Sequence, residues 1–462
     1  MPRRLQTPPP ALLLCLLLLS TVLTSACAQD APAPSGLGPV SHFTLANGLQ
    51  VLVAPNTNAD LVTVDVWVGA GTRRETAATN GAAHFIEHLI FKGTPTREPG
   101  AIDAAIEDLG GALNAATSYD WAHFYVTVGA SDAPAALSVL ADAVTHASLR
   151  QADMDTERTV ILSERARELA SPALRTREEA GALLFPTHPY GRPLLGTPDS
   201  IANMTRQTVL DFYHANYVPG NVTLVLSGSI TPEAGRAIAE KAFDDWPARP
   251  VPPQDVPAEP APTEARAMTL SGGGAQATMT LAWRAPAVSD QPDAWIMDVL
   301  LTYLGQGGNN KLDTDLRRKQ KLVTTITANY LTQRDMGLLT VTAACAPGRV
   351  SSVRSAILQD ITALRDAPLA PADLSAAKRA LIASYLFDSQ TDSGRAGALG
   401  FYNTINTYTY DTEYIPHVLS VTGAQIQAVA RRYLNPDIYV QVTILPRANP
   451  ILAASPHESR IR

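Results

Sequence analysis

The chain has 462 residues, of which 46% are hydrophobic and 17% charged, a globular composition that excludes a disordered chain and is too long for one ordinary core. The net charge of −7 gives no reason to expect nucleic acid as a partner.

Residues 1–28 read as a targeting segment. Arg3 and Arg4 form a basic start, residues 11–19 are an apolar stretch too short for a permanent membrane span, and Ala26-Cys27-Ala28 is a small-x-small cleavage site before Gln29. Export to a bacterial periplasm follows, with lipid anchoring through Cys27 as the alternative, although Thr24 departs from the leucine usual three positions before such a cysteine. Removing the segment takes Cys15 and Cys27 with it and leaves Cys345, which lies in the apolar run 341–346 and reads as a small buried hydrophobe. No disulfide framework is then possible, and a cysteine nucleophile is not expected.

Apolar runs at 50–53 and 61–68 read as strands, and Asn47-Gly48 signals a tight hairpin. The next element carries the chemistry. His84-Phe85-Ile86-Glu87-His88 sets two imidazoles and a carboxylate at i, i+3 and i+4 of one helix, so His84 and His88 can grip one metal while Glu87 projects beside it. Zinc with neutral imidazoles and an open position lowers the pKa of bound water to about 7, and a nearby carboxylate can take the proton. The order His-x-x-Glu-His inverts the commoner His-Glu-x-x-His. Thr79-Asn80-Gly81 offers an N-cap, Lys92 a basic last turn and Gly93 a stop. A catalytic zinc takes three protein ligands, so one more is needed. Glu164 is a candidate, on a helix capped by Asp153 and Asp155 that sets Glu157 and Glu164 two turns apart on one face; by periodicity alone that face is equally well read as solvated.

Residues 222–227 read as a strand. The Pro-rich stretch 247–265 follows as a semi-rigid linker between domains at 39–246 and 266–447. The second domain shows a strand at 277–283, a helix at 293–304 and a strand at 438–445, and looks like a degenerate repeat of the first. Its glycine-rich runs lack the Gly-Lys-Ser/Thr that would cradle phosphate and read as loops. Residues 448–462 are expected to form a flexible tail.

Taken together, His42–Leu49, Gly71-Thr72-Arg73-Arg74-Glu75, the His84–His88 motif with Phe91-Lys92-Gly93-Thr94, Asn114–Ser118, Glu157–Glu164, His188-Pro189-Tyr190-Gly191 and Tyr217–Asn221 resemble the pitrilysin-type inverted zincins, which include mitochondrial processing peptidases and bacterial two-domain relatives. The resemblance implies an α+β fold of two tandem domains, each of the same mixed sheet-plus-helices architecture, clam-like around a chamber. It implies a Zn2+ endopeptidase with one zinc per chain, ligands His84, His88 and Glu164 (76 positions after His88, 164 − 88), Glu87 as general base and Glu157 as the supporting carboxylate.

The same resemblance implies that Asn114 and Ala115 bind an extended peptide substrate on an edge strand. His123 and His188 lie in matching regions, but lone histidines are more often structural or surface residues than ligands, and no chemistry is assigned to them. Self-sufficient relatives present an arginine and, seven residues later, a tyrosine to the developing oxyanion. Arg317 fits the arginine, but position 324 is threonine and Tyr330 is out of register. A heterodimer is therefore expected, in which a second subunit of the family supplies the Arg/Tyr pair, with a homodimer as the alternative. A non-catalytic or weakly active peptide-binding or scaffold subunit of the same fold is the alternative function, against which stands the presence of all four motif residues.

Overall fold

The computed structural model describes residues 37–308 and 310–447, so the expected targeting segment and tail lie outside the described residues. The hairpin expected around Asn47-Gly48 joins β1 (Ser41–Thr44) to β2 (Gln50–Pro55), with Thr44 opposite Gln50. Along β3 (Leu61–Val68), Val62, Val64 and Val66 face the first core while Trp67 faces the other side, the two-residue period of a strand buried on both faces. With β4 (Asn114–Thr117), β5 (Ala122–Gly129) and β6 (Val222–Gly228) they form a six-stranded sheet in the order β1-β2-β6-β3-β5-β4.

The second sheet comprises β7 (Arg266–Gly272), β8 (Ala277–Ala285), β9 (Thr325–Leu331), β10 (Gly337–Cys345) and β11 (Val440–Pro446), ordered β7-β11-β8-β10-β9. In the first sheet β2 and β6 run parallel and the other neighbours antiparallel; in the second β7 and β11 run parallel and the other neighbours antiparallel. With β1 set aside, the five remaining strands of the first sheet repeat in order and direction in the second. The repeat is therefore in the topology, with two α+β units of one architecture.

Each half lends a helix to the other. The helix Pro172–Leu184, from the first half, packs Ala180 and Leu184 against Ala282, Val440 and Val442 of the second sheet, and Thr280 Oγ1 donates to Thr176 Oγ1 at 2.8 Å. The helix Asp392–Ile405, from the second half, packs Ala396 and Leu399 against Trp67 and Val225 of the first. The junction is filled by these helices and leaves cavities of about 610 and 400 Å³ lined from both halves.

The first core runs to Phe243 and Trp246, and residues 247–265 contain no helix or strand. The expected spacer is pinned as well as proline-stiffened. Gln254 Nε2 donates to the Arg73 carbonyl at 2.8 Å, and Glu259 accepts from the backbone of Thr187 and His188 at 2.8 and 2.7 Å while pairing with Arg284 at 3.3 Å. Cys345 is a free, buried thiol on β10. No helix of the described residues is long and apolar enough to cross a membrane.

Candidate metal centre

The His84–His88 motif lies on the helix Ala82–Leu89, whose apolar side (Phe85, Ile86, Leu89) is buried in the first core, on the face of the sheet opposite the exchanged helix. Its start differs from the sequence expectation. Thr79 and Asn80 do not cap it; the buried Glu75 carboxylate does, accepting from Gly81 N and Ala83 N and from the Asn80 side-chain amide, each at 2.9 Å. Gly81 makes the turn in the left-handed region (φ 97°), and a Cβ there would lie 2.8 Å from the Leu195 carbonyl oxygen. Burial raises the Glu75 pKa to about 7 against the pull of those hydrogen bonds. The helix ends at Leu89, so Lys92 falls beyond its last turn and pairs instead with Glu157 Oε1 at 2.9 Å.

Glu157 and Glu164 lie on the helix Gln151–Ala170. Asp153 and Asp155, expected as its caps, are inside it: Asp153 pairs with Arg150 at 2.8 Å and Asp155 accepts from Gln151 at 2.8 Å. Seven residues being almost two turns, Glu157 and Glu164 meet the motif helix together. Glu164 Oε2 lies 3.8 Å from His84 Nε2 and 3.4 Å from His88 Nε2, and one ligand atom from each of the three residues falls within 4.8 Å of the others. Tetrahedral zinc with bonds of about 2.0–2.1 Å separates its ligand atoms by about 3.3 Å, so this donor set fits the ion. The other Glu164 oxygen lies 3.6 Å from Arg167.

The electrostatics suit a metal. Burial, and then the neighbouring His88, lower the His84 pKa to about 3, which keeps its ring neutral as a ligand must be. Glu157 Oε2 lies 2.9 Å from His88 Nδ1 and so fixes the tautomer that presents Nε2 to the centre. Burial works to raise the Glu157 pKa, but Lys92 and His88 outweigh it and hold the carboxyl below its usual range. Glu87 stands apart from the ligand set. Its Oε2 is buried with no hydrogen-bond partner, and burial raises its pKa. The Thr117 hydroxyl, and then His88, oppose that rise, and the Glu164 carboxylate adds to it.

Of the other residues singled out in sequence, Asn114 and Ala115 lie on β4, an edge strand that pairs only with β5 and packs beside the motif helix. Arg317 is paired with Asp313 four residues before it, and Nη2 donates at 2.9 Å. Thr324 Oγ1 donates to the Ala344 carbonyl at 3.1 Å, and the Tyr330 hydroxyl donates to the Pro286 carbonyl at 2.7 Å. His123 pairs with Asp65 at 3.0 Å and His188 with Asp335 at 3.1 Å. Sequence reasoning missed Glu75, six residues before the glycine whose N–H it accepts.

Residues 50–198 match the family model described as insulinase (peptidase family M16), and residues 203–381 match that of the peptidase M16 inactive domain; His-x-x-Glu-His lies in the first span. The chain is 31% identical to an uncharacterized zinc protease of Mycobacterium leprae, over 86% of this chain and 89% of that protein. It is 29% identical to a probable mitochondrial-processing peptidase subunit beta of Arabidopsis thaliana, over 85% and 75%. Its fold is similar to the crystal structure of a protease from Helicobacter pylori, with a TM-score of 0.85 at 24% identity over 89% of this chain and 100% of that one.

Proposed function

Because the chain belongs to the M16 peptidase family, we propose that it is a zinc-dependent endopeptidase that hydrolyses peptides or unfolded segments. The observation that carries this reading is the convergence of His84, His88 and Glu164 beside the unpaired Oε2 of Glu87. Those three residues would hold zinc, which would lower the pKa of a bound water and polarise the substrate carbonyl. Glu157 orients His88 for that task. Glu87 takes the proton of the attacking water and returns it to the leaving amine, a double duty for which a carboxyl pKa raised by burial is suited. An extended peptide adding to the open edge of β4 at Asn114 and Ala115 lies beside the motif helix, and main-chain pairing of this kind gives affinity with little sequence selection.

Two further parts of the reading rest on sequence and on the second half. The basic start, short apolar stretch and small-x-small site of residues 1–28 support export to a bacterial periplasm, with anchoring through Cys27 as the alternative. The engagement of Arg317, Thr324 and Tyr330 elsewhere supports a heterodimer whose second subunit supplies the Arg/Tyr pair and completes the chamber.

The test separates the water's acceptor from the ligands. Glu87→Gln is expected to abolish peptide hydrolysis while retaining nearly stoichiometric zinc by mass spectrometry; His84→Ala, His88→Ala and Glu164→Gln are expected to lose the metal as well. Zinc lost from Glu87→Gln but kept by Glu164→Gln reverses the assignment.

A further inference from the structure

The cavity of about 610 Å³ lies where the strand ends of the first sheet, the 247–265 strap and the end of the exchanged helix Asp392–Ile405 meet. Its wall carries three guanidinium groups, Arg73, Arg74 and Arg334. Arg73 is paired with Asp335 at 2.5 and 3.0 Å. Arg74 has only uncharged partners: the Gly69 carbonyl at 2.7 Å and the side-chain oxygens of Asn216 and Asn221 at 3.2 and 3.4 Å. The exposed Arg334 side chain donates to the Thr404 carbonyl. Asp120, the one carboxylate in the wall among the described residues, already accepts from the Tyr190 hydroxyl at 2.7 Å and from Arg334 N at 3.0 Å, and lies 3.9 Å from Arg73 Nε. Three guanidinium groups against Asp120 and Asp335 leave one positive charge over. Burial, and then the repulsion of Arg73 and Arg334, hold the Arg74 pKa down to about 10. The Thr404 hydroxyl, in the same wall and 8% exposed, has no hydrogen-bond partner.

We propose that this cavity binds a small oxyanion, a phosphate or a free carboxylate, between the guanidinium groups of Arg74 and Arg334. The planar fork of arginine matches both chemistries, and an anion there supplies the missing counter-charge in a partly desolvated setting. None of the wall residues belongs to the metal centre, so the site stands or falls apart from the peptidase reading.

The full chain is titrated calorimetrically with inorganic phosphate, and separately with a short peptide bearing a free C-terminal carboxylate or its amide, in chloride buffer of matched ionic strength. Saturable binding of phosphate or of the free-acid peptide, but not the amide, is expected, and which of the two binds identifies the source of the oxyanion. Arg334→Gln and Arg74→Gln should each weaken it about tenfold, the worth of one charge-assisted hydrogen bond. Absence of saturable binding by either oxyanion overturns the proposal, as does unchanged affinity in Arg334→Gln, the variant at the exposed position that decides the matter if Arg74→Gln fails to fold.

Discussion

Glu75 shows how much of the metal helix is built from outside it. Its carboxylate satisfies two backbone N–H groups at the helix start and the Asn80 amide, all within a buried turn. Glu75→Ala leaves the two backbone donors without an acceptor, at about 1–3 kcal/mol for each group that water cannot reach, while the Asn80 amide keeps the Pro193 carbonyl at 2.9 Å. We expect a clear loss of stability to denaturant together with reduced zinc content, because the helix that carries both histidines frays at its first turn. The pH dependence has a definite sign. A carboxyl raised from its usual 4.5 to about 7 on folding gives stability that is full below pH 4.5 and is lost as pH rises through 7. Glu75→Gln removes this titration, so its unfolding free energy should decline less between those values than that of the unmodified chain. Parallel pH profiles for the two proteins would show that burial of Glu75 does not govern the slope.

At the scale of elements, the exchanged helices hold the halves together, and Gly400 is where one of them comes closest. A Cβ on Gly400 would sit 2.2 Å from the ring of the buried Trp67 on β3. Gly400→Ala gains about 1 kcal/mol of helix propensity but overpacks this contact at a cost of about 1–3 kcal/mol, so a net loss of stability by denaturant unfolding is expected; a gain would mean that the helix can shift away from Trp67. This packing also marks the limit of what the sequence tells. β3 and the helix Asp293–Leu304 occupy the stretches that hydrophobic periodicity picks out, and His84, Glu87 and His88 are legible because their geometry is fixed within one helical turn. Periodicity says that a helix buries a face, not which sheet receives it, so Pro172–Leu184 and Asp392–Ile405 gave no sign of their exchange. The Glu75 cap was hidden for a related reason. Its partners lie across a left-handed glycine turn, whereas Thr79 and Asn80 stand where local cap preference puts weight. Glu164 became more than a solvated face only through the family resemblance, whose third ligand stands at its spacing from His88.

At the scale of the whole molecule, the two halves repeat one topology but divide the chemistry unequally. The second-half helix Asp293–Leu304 has no His-x-x-Glu-His, and Arg317, Thr324 and Tyr330 are paired with partners of their own half. A second copy of the same chain brings the same three residues, with threonine where a tyrosine donor is wanted, so self-association leaves the oxyanion under-served. Loss of one such donor typically slows hydrolysis about 10²–10³-fold. We therefore expect the zinc-loaded chain alone to cleave peptides poorly at every concentration, and a related subunit that carries the Arg/Tyr pair to raise the rate by at least that factor without changing zinc content. Activity per chain that climbs with the concentration of this protein by itself would point to a homodimer, in which the copies complete each other's site. Full activity that is proportional to chain concentration and indifferent to any added subunit would sink the idea, and would require Thr324 or a water to stand in for the missing tyrosine.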